Sequence, residues 1–109
     1  MLKYKKFDDF LELCRHVVKD LKDNKVVAWF QDKSEFGPRA LGNRSLLVNP
    51  IFDNKDHLNN KVKYREYWRP YAPMVIEEEA KHWFDLPVDK SPHMLFNSFV
   101  VEDKRKQIP

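Results

Sequence analysis

Both glycines of this 109-residue chain, Gly37 and Gly42, fall in one six-residue stretch, inside a fourteen-residue segment, Gln31 to Arg44, that separates two short apolar runs. Average usage of about 7% would put roughly eight glycines in a chain of this length. With two, the backbone freedom to take positive φ, or to come close to a ligand, is concentrated at one place. Connections in compact domains usually run to about 4 to 6 residues, and longer ones are commonly functional. The segment from 31 to 44 is therefore the first candidate for a site.

Its flanks have regular patterns. Val26 to Phe30 is apolar and partly β-branched and reads as a buried strand; Ser45 to Val48 reads as a second strand, ended by Asn49-Pro50. Upstream, Phe10, Leu13, Cys14, Val17, Val18 and Leu21 recur at three- and four-residue steps, which predicts an amphipathic helix. Asp8 or Asp9 can cap it, Asp9 with Glu12 has capping-box spacing, and Asn24 suits the left-handed residue that ends a helix. Downstream, Asp53 or Asn54 can start a helix running to about Tyr64, with Leu58 and Val62 on its apolar side, and Pro70 and Pro73 prevent its continuation. Met74–Ile76 is expected as a strand, Glu77–Phe84 as a short helix with acids in its first turn, and Met94–Val101 as a further strand. The alternation argues for an α/β or α+β fold, residues 1–109 have the length of one domain, and 42% hydrophobic residues suffice to bury a core.

The formal net charge is +3, but the excess is local: from Lys33 to Arg69 there are eight cations and four acids, whereas residues 72–109 hold five against seven. That middle stretch expects an anion. The single Cys14 cannot form an internal disulfide and reads as a small buried hydrophobe. No apolar run reaches the roughly 18 residues of a membrane span, and the N-terminus lacks the apolar region of a secretory signal, so the expected location is the cytoplasm, away from membranes. His16, His57, His82 and His93 show no ligand spacing, so no metal site is expected within the chain.

Within the long loop, Arg39 and Arg44 present planar forks suited to phosphate or carboxylate oxygens, Pro38 sets the turn, and Asn43 and Ser45 add neutral hydrogen-bonding groups. The set resembles an oxyanion cradle, although neither a P-loop nor a dinucleotide fingerprint is present. A second cluster, Asn59 to Pro70, again places cations beside aromatics. The competing readings are a Gly-Pro turn with solvated arginines for the first cluster, and a solvated helix end with core aromatics for the second.

Val-Val-Ala-Trp-Phe-Gln (26–31), Glu-Phe-Gly-Pro-Arg-Ala-Leu-Gly-Asn-Arg-Ser-Leu-Leu (35–47) and Leu-Asn-Asn-Lys-Val-Lys-Tyr-Arg-Glu-Tyr-Trp-Arg-Pro-Tyr-Ala-Pro (58–73), in that order, resemble the C-terminal domain of the carbamoyltransferases related to NodU and to antibiotic O-carbamoyltransferases. The resemblance runs from about Phe7 to Val101. It implies a YrdC-like fold with an open twisted sheet and flanking helices, cut short at its C-terminus. It also implies a partner, the sugar-kinase/Kae1-like N-terminal domain of a longer enzyme, which holds a metal and the acceptor. The YrdC-like part is expected to bind carbamoyl phosphate and ATP as co-substrate, with Mg2+, and to form carbamoyl-adenylate for O-carbamoylation of a sugar or natural-product hydroxyl. On this reading the catalytic candidates are Arg39, Lys63 and Arg65. Substrate and nucleotide binding falls to Lys33, Arg39, Asn43, Arg44, Ser45, Asn59, Lys63, Arg65 and Arg69. Glu35 is expected to tie down an arginine of the loop, and Glu66 to do so for Arg65 or Arg69. Tyr64, Tyr67, Trp68 and Tyr71 divide between core packing and an adenine-stacking surface, with core the default.

Two departures stand out. Where the family usually reads Gln-Gly-Arg before Glu-Phe-Gly, this chain has Gln31-Asp32-Lys33, an acid for a glycine and a lysine for a bidentate arginine. The Asp-Gly and Arg-containing strand with which the domain usually continues is also not in the sequence. A competing function is a non-catalytic nucleotide- or RNA-binding module of the same fold, holding RNA by phosphate contacts and stacking. The mild net charge and the acidic last third argue against nucleic acid; homodimerisation is left open.

Overall fold

The computed structural model describes residues 2–108. The chain falls into two compact units, the first ending at Asn49 and the second beginning at Pro50.

The first unit is one helix and one hairpin. Helix α1 spans Phe10–Lys22, and its cap is Asp9, whose carboxylate accepts the N–H groups of Leu11 and Glu12 at 3.2 Å each. Those are two of the donors that a helix start leaves without intrahelical partners. Lys19 and Lys22 in the last turn suit the negative end of the helix dipole, and Asn24 beyond it takes φ 59°, the left-handed conformation expected of it. Strands β1 (Val27–Phe30) and β2 (Arg44–Leu47) pair antiparallel, with Val27 opposite Leu47 and Phe30 opposite Arg44. Phe10 meets Trp29 edge-on, ring centroids 6.4 Å apart, which ties α1 to the hairpin.

The second unit is mostly short turns of helix. Helix α2 (Lys55–His57) continues directly as a π-helical turn, Leu58–Lys63, and stops where Tyr64 turns left-handed at φ 49°. A 3-10 turn at Glu77–Glu79 runs into α3 (Ala80–Trp83), and another 3-10 turn covers Glu102–Lys104. Phe84 and Val100 form an isolated antiparallel bridge, flanked by bonds from Asp85 N–H to the Phe99 carbonyl at 2.9 Å and from Val101 N–H to the Trp83 carbonyl at 3.0 Å.

The fold is thus α+β, with a two-stranded antiparallel sheet among the described residues, smaller than the open sheet that the resemblance implies. Four expectations are corrected. Met74–Ile76 is not a strand, and Met94–Val101 contributes only its Val100 bridge. Both runs have residues suited to extended backbone, but a strand exists only where a neighbour's ladder accepts it. Nor is β1 buried: Val27 and Trp29 are half-buried, whereas Ala28 and Phe30 face outward, as alternation on a sheet requires. Finally, the expected core is small. Among the described residues only Leu58, Ala80 and Asn59 are buried, and Phe10, Leu11 and Val18 of α1 are exposed.

Candidate functional site

The long loop begins at a neck of amides. One step beyond the last strand pair, Gln31 N–H donates to the Asn43 carbonyl at 2.9 Å, and the side chains repeat the contact, Gln31 Nε2 donating to Asn43 Oδ1 at 3.1 Å. The relay extends both ways: Trp29 Nε1 donates to Gln31 Oε1 at 2.9 Å, and Asn43 Nδ2 to the Lys33 carbonyl at 3.0 Å. Both ends of the Asn43 amide are therefore engaged by the loop itself. Ser45 is engaged too, its Oγ accepting Gly42 N–H at 3.2 Å.

Two charged side chains brace this neck. Glu35 Oε1 accepts the backbone N–H groups of Leu41 and Asn43, each at 2.7 Å, which holds its carboxyl below the ordinary carboxylate range; the Asn43 bond is the larger cause and the charge of Arg44 a minor one. The arginine partner expected for Glu35 is corrected to two main-chain donors. Arg44 reaches back in turn: Nη1 donates to the carbonyls of Gln31 and, at 2.8 Å, Asn43, and Nη2 to that of Asp32 at 2.7 Å. Its guanidinium also lies 3.5 Å from the Phe30 ring centroid. A carboxylate on N–H groups and a guanidinium on carbonyls engage main-chain atoms beyond the paired strands.

Gly37 and Gly42 take φ 126° and 111°, and a Cβ at either would meet nothing within 4 Å. Backbone conformation, not crowding, requires glycine at both. Asp32, at the position where the resemblance led to an expectation of glycine, adopts φ 44°, a backbone conformation that glycine takes readily. The loop leaves Phe36, Lys33 and Arg39 exposed, Phe36 fully so at 107% of its reference area. The side chains of Lys33 and Arg39 make no hydrogen bond or ion pair among the described residues.

The second cluster, in the second unit, is organised by Asn59, which is 0% exposed. Its Oδ1 accepts from Arg65 Nε at 2.8 Å and from Tyr71 Oη at 2.7 Å, its Nδ2 donates to the Tyr67 carbonyl at 3.4 Å, and its own carbonyl accepts Arg65 N–H at 3.0 Å. Arg65 also reaches the Pro70 carbonyl through Nη2 at 3.3 Å and stands 4.2 Å from the Tyr71 ring centroid. Lys63 Nζ is 6.0 Å from the same ring. Arg69 pairs with Glu66 at 2.8 Å, one of the two partners foreseen for that acid. Tyr64, Tyr67 and Trp68 are exposed, which corrects core packing as their default, and Tyr71 is half-buried.

Each unit therefore gathers its own set: Lys33, Arg39, Asn43, Arg44 and Ser45 in the first, Asn59, Lys63, Arg65 and Arg69 in the second. Sequence reasoning missed Gln31 and Tyr71 as organising residues. Gln31 pairs through its side chain with the side chains of Trp29 and Asn43, a relation that no local pattern of the sequence marks. An open groove of about 540 Å3, lined by residues including Lys81, Phe84, Phe99 and Arg105, involves none of the candidates.

Residues 18–109 match the family described as "Carbamoyltransferase C-terminus", a span that includes both clusters. The chain belongs to that family. Over 89 residues, 78% of the chain, it is 51% identical to nodulation protein NolNO of Sinorhizobium fredii, and over 82 residues, 74% of the chain, 49% identical to nodulation protein NolO of Bradyrhizobium diazoefficiens. Nodulation protein U of Sinorhizobium fredii is 45% identical over 71% of the chain. This carbamoyltransferase C-terminal chain covers 13% of the first relative's length, 15% of the second's and 14% of the third's. No helix of its described residues is long and apolar enough to cross a membrane.

Proposed function

We propose that the chain is the part of an O-carbamoyltransferase that binds ATP and carbamoyl phosphate and supports formation of carbamoyl-adenylate. The observation that carries this reading, beside the family, is Arg39: an exposed guanidinium with no protein partner among the described residues, on a loop whose main chain is braced by Glu35, Asn43 and Arg44. A rigid loop that holds out a fork loses little freedom when an oxyanion arrives.

In this reading water cleaves carbamoyl phosphate to carbamate and inorganic phosphate, and one oxygen of the carbamate then attacks the α-phosphorus of ATP. The α–β bridging bond breaks, pyrophosphate leaves, and carbamoyl-adenylate remains. The Kae1-like domain of the longer chain then passes the carbamoyl group to a hydroxyl, and AMP departs. Catalysis of the first step is chiefly positioning and neutralisation of charge on phosphate oxygens, the task suited to Arg39, Lys63 and Arg65. Lys33 and Arg69 add cations nearby in their own units. Mg2+ would enter as a companion of the nucleotide, since it is usually held by substrate phosphates and few protein ligands. The fold that goes with this reading is YrdC-like and the location cytoplasmic.

The test is ATP–pyrophosphate exchange, dependent on carbamoyl phosphate, in a full-length protein carrying this chain. Arg39→Ala and Arg65→Ala should each slow exchange at least tenfold. Exchange unchanged in both would remove these residues from the reaction, and RNA affinity falling steeply with salt would favour the RNA-binding alternative.

A further inference from the structure

We infer that Asn59 and Tyr71 are positioning residues that aim Arg65, and that Arg65 is the anion-contacting fork of the second unit. The inference rests on the function proposed above and assigns its residues different roles.

A primary amide oxygen has two acceptor sites. Both sites on Asn59 Oδ1 are filled, by Arg65 Nε at 2.8 Å and Tyr71 Oη at 2.7 Å. Arginine only donates, so the atom facing it is oxygen, and the amide orientation follows from chemistry. Asn59 is also 0% exposed. It therefore has neither the surface nor a spare acceptor with which to meet a carbamoyl group, and the substrate-binding role expected of it passes to Arg65.

Arg65 is held from three sides: Nε by Asn59, one face by the Tyr71 ring at 4.2 Å from its centroid, and Nη2 by the Pro70 carbonyl at 3.3 Å. Nη1 has no hydrogen-bond partner among the described residues. The outer end of the fork is thus left for an oxyanion, whereas Arg69 is paired with Glu66. The choice of asparagine at 59 is informative. A carboxylate would accept the same two bonds but would cancel the positive charge that makes Arg65 useful. A neutral amide orients the cation and leaves its charge available.

The test compares Asn59→Asp, Tyr71→Phe and Arg65→Ala with the wild-type full-length protein, using calorimetric titration with ATP and with carbamoyl phosphate, exchange kinetics and thermal melting. Asn59→Asp keeps shape and both acceptances, and is expected to weaken binding of the affected anion at least tenfold. Tyr71→Phe keeps the ring and removes one bond to Oδ1; it should weaken the same anion about threefold. Both should raise KM more than they lower kcat. If Asn59→Asp fails to fold, Tyr71→Phe decides. Wild-type affinity in folded Tyr71→Phe or Asn59→Asp, in a background where Arg65→Ala loses binding, overturns the positioning role alone. Full binding by Arg65→Ala while Arg39→Ala loses it overturns Arg65 as the contact. A wild-type protein that binds neither anion overturns the function and this inference with it.

Discussion

The carboxylate of Glu35 accepts the backbone N–H of Asn43 at 2.7 Å, across eight residues of a loop that has no strand partner of its own. With the Leu41 N–H on the same oxygen, this one side chain folds the loop back onto its own neck. The bonds are stronger to an ionised carboxylate than to a neutral carboxyl. Glu35 has its carboxyl held below its ordinary value of 4.5, so it contributes stability that is complete above that pH and is lost as pH falls through the depressed folded value. Wild-type protein should therefore lose loop order on acidification, and Glu35→Gln should flatten that dependence while lowering order at neutral pH. Hydrogen exchange of residues 35–45 between pH 7 and pH 3, corrected for the intrinsic rate, reads both effects; identical profiles for the two proteins would refute the prediction.

Gly37→Ala and Gly42→Ala place a Cβ where nothing obstructs it, so any penalty comes from the backbone. Residues other than glycine held in such conformations carry about 1–3 kcal/mol of strain. Each variant should speed exchange of the Leu41 and Asn43 amides about five- to a hundredfold. Protection equal to wild type would show that the loop can turn without positive φ.

Asp32→Gly should supply the residue type that a φ of 44° favours and remove a negative charge from the loop. An anion-affinity gain of about two- to fivefold at low salt is expected, shrinking as salt screens the charge. Asp32→Asn separates the two causes, since it removes charge and keeps a side chain. Titration with ATP at 0.05 M and 0.5 M salt distinguishes them: an effect insensitive to salt would implicate the backbone.

Arg39 and Arg44 are the same residue type five positions apart and should fail differently. Arg44→Lys keeps the charge but not a fork that reaches three carbonyls, and charged hydrogen bonds contribute about 1.5–3 kcal/mol each. It should open the loop to proteolysis near residues 36–40. Arg39→Ala should leave proteolysis and melting unchanged, within about 0.5 kcal/mol as for exposed positions away from structural bonds, and impair only anion binding. Limited proteolysis beside titration makes the comparison; equal susceptibility of both variants would contradict it.

Asp9→Ala removes the acceptor for two N–H groups at the start of α1. Caps of this kind stabilise a helix by about 0.5–2 kcal/mol. Amide exchange of residues 10–13 should accelerate accordingly, while Asp9→Ser should recover most of the protection.

Helix α1 was legible because its signals are local: a periodic apolar face, an acid at the cap, an asparagine to end it. The hairpin was legible from two apolar runs, and the glycines from their scarcity. What escaped needed partners distant in sequence or common to all residues. Met74–Ile76 has the side chains of a strand, but pairing depends on a neighbour. Glu35 was assigned an arginine because side-chain chemistry is written in the sequence, whereas its true partners are main-chain N–H groups that almost every residue possesses. Nothing in the letters distinguishes Arg39 from Arg44; only the turn between them sends one outward and the other back. Asn59, on a helix otherwise polar on one side, gave no sign that it would be the most buried side chain among the described residues.

The amide rung between Gln31 and Asn43 gives the hairpin a modular character. Because the loop is closed at its neck, the spacing of β1 and β2 is set without reference to what the tip contains, and lengthening a closed loop is cheap, about 0.6 kcal/mol per doubling. Residues 36–40 are therefore the stretch in which this scaffold could exchange one recognition sequence for another while the sheet beneath keeps its register.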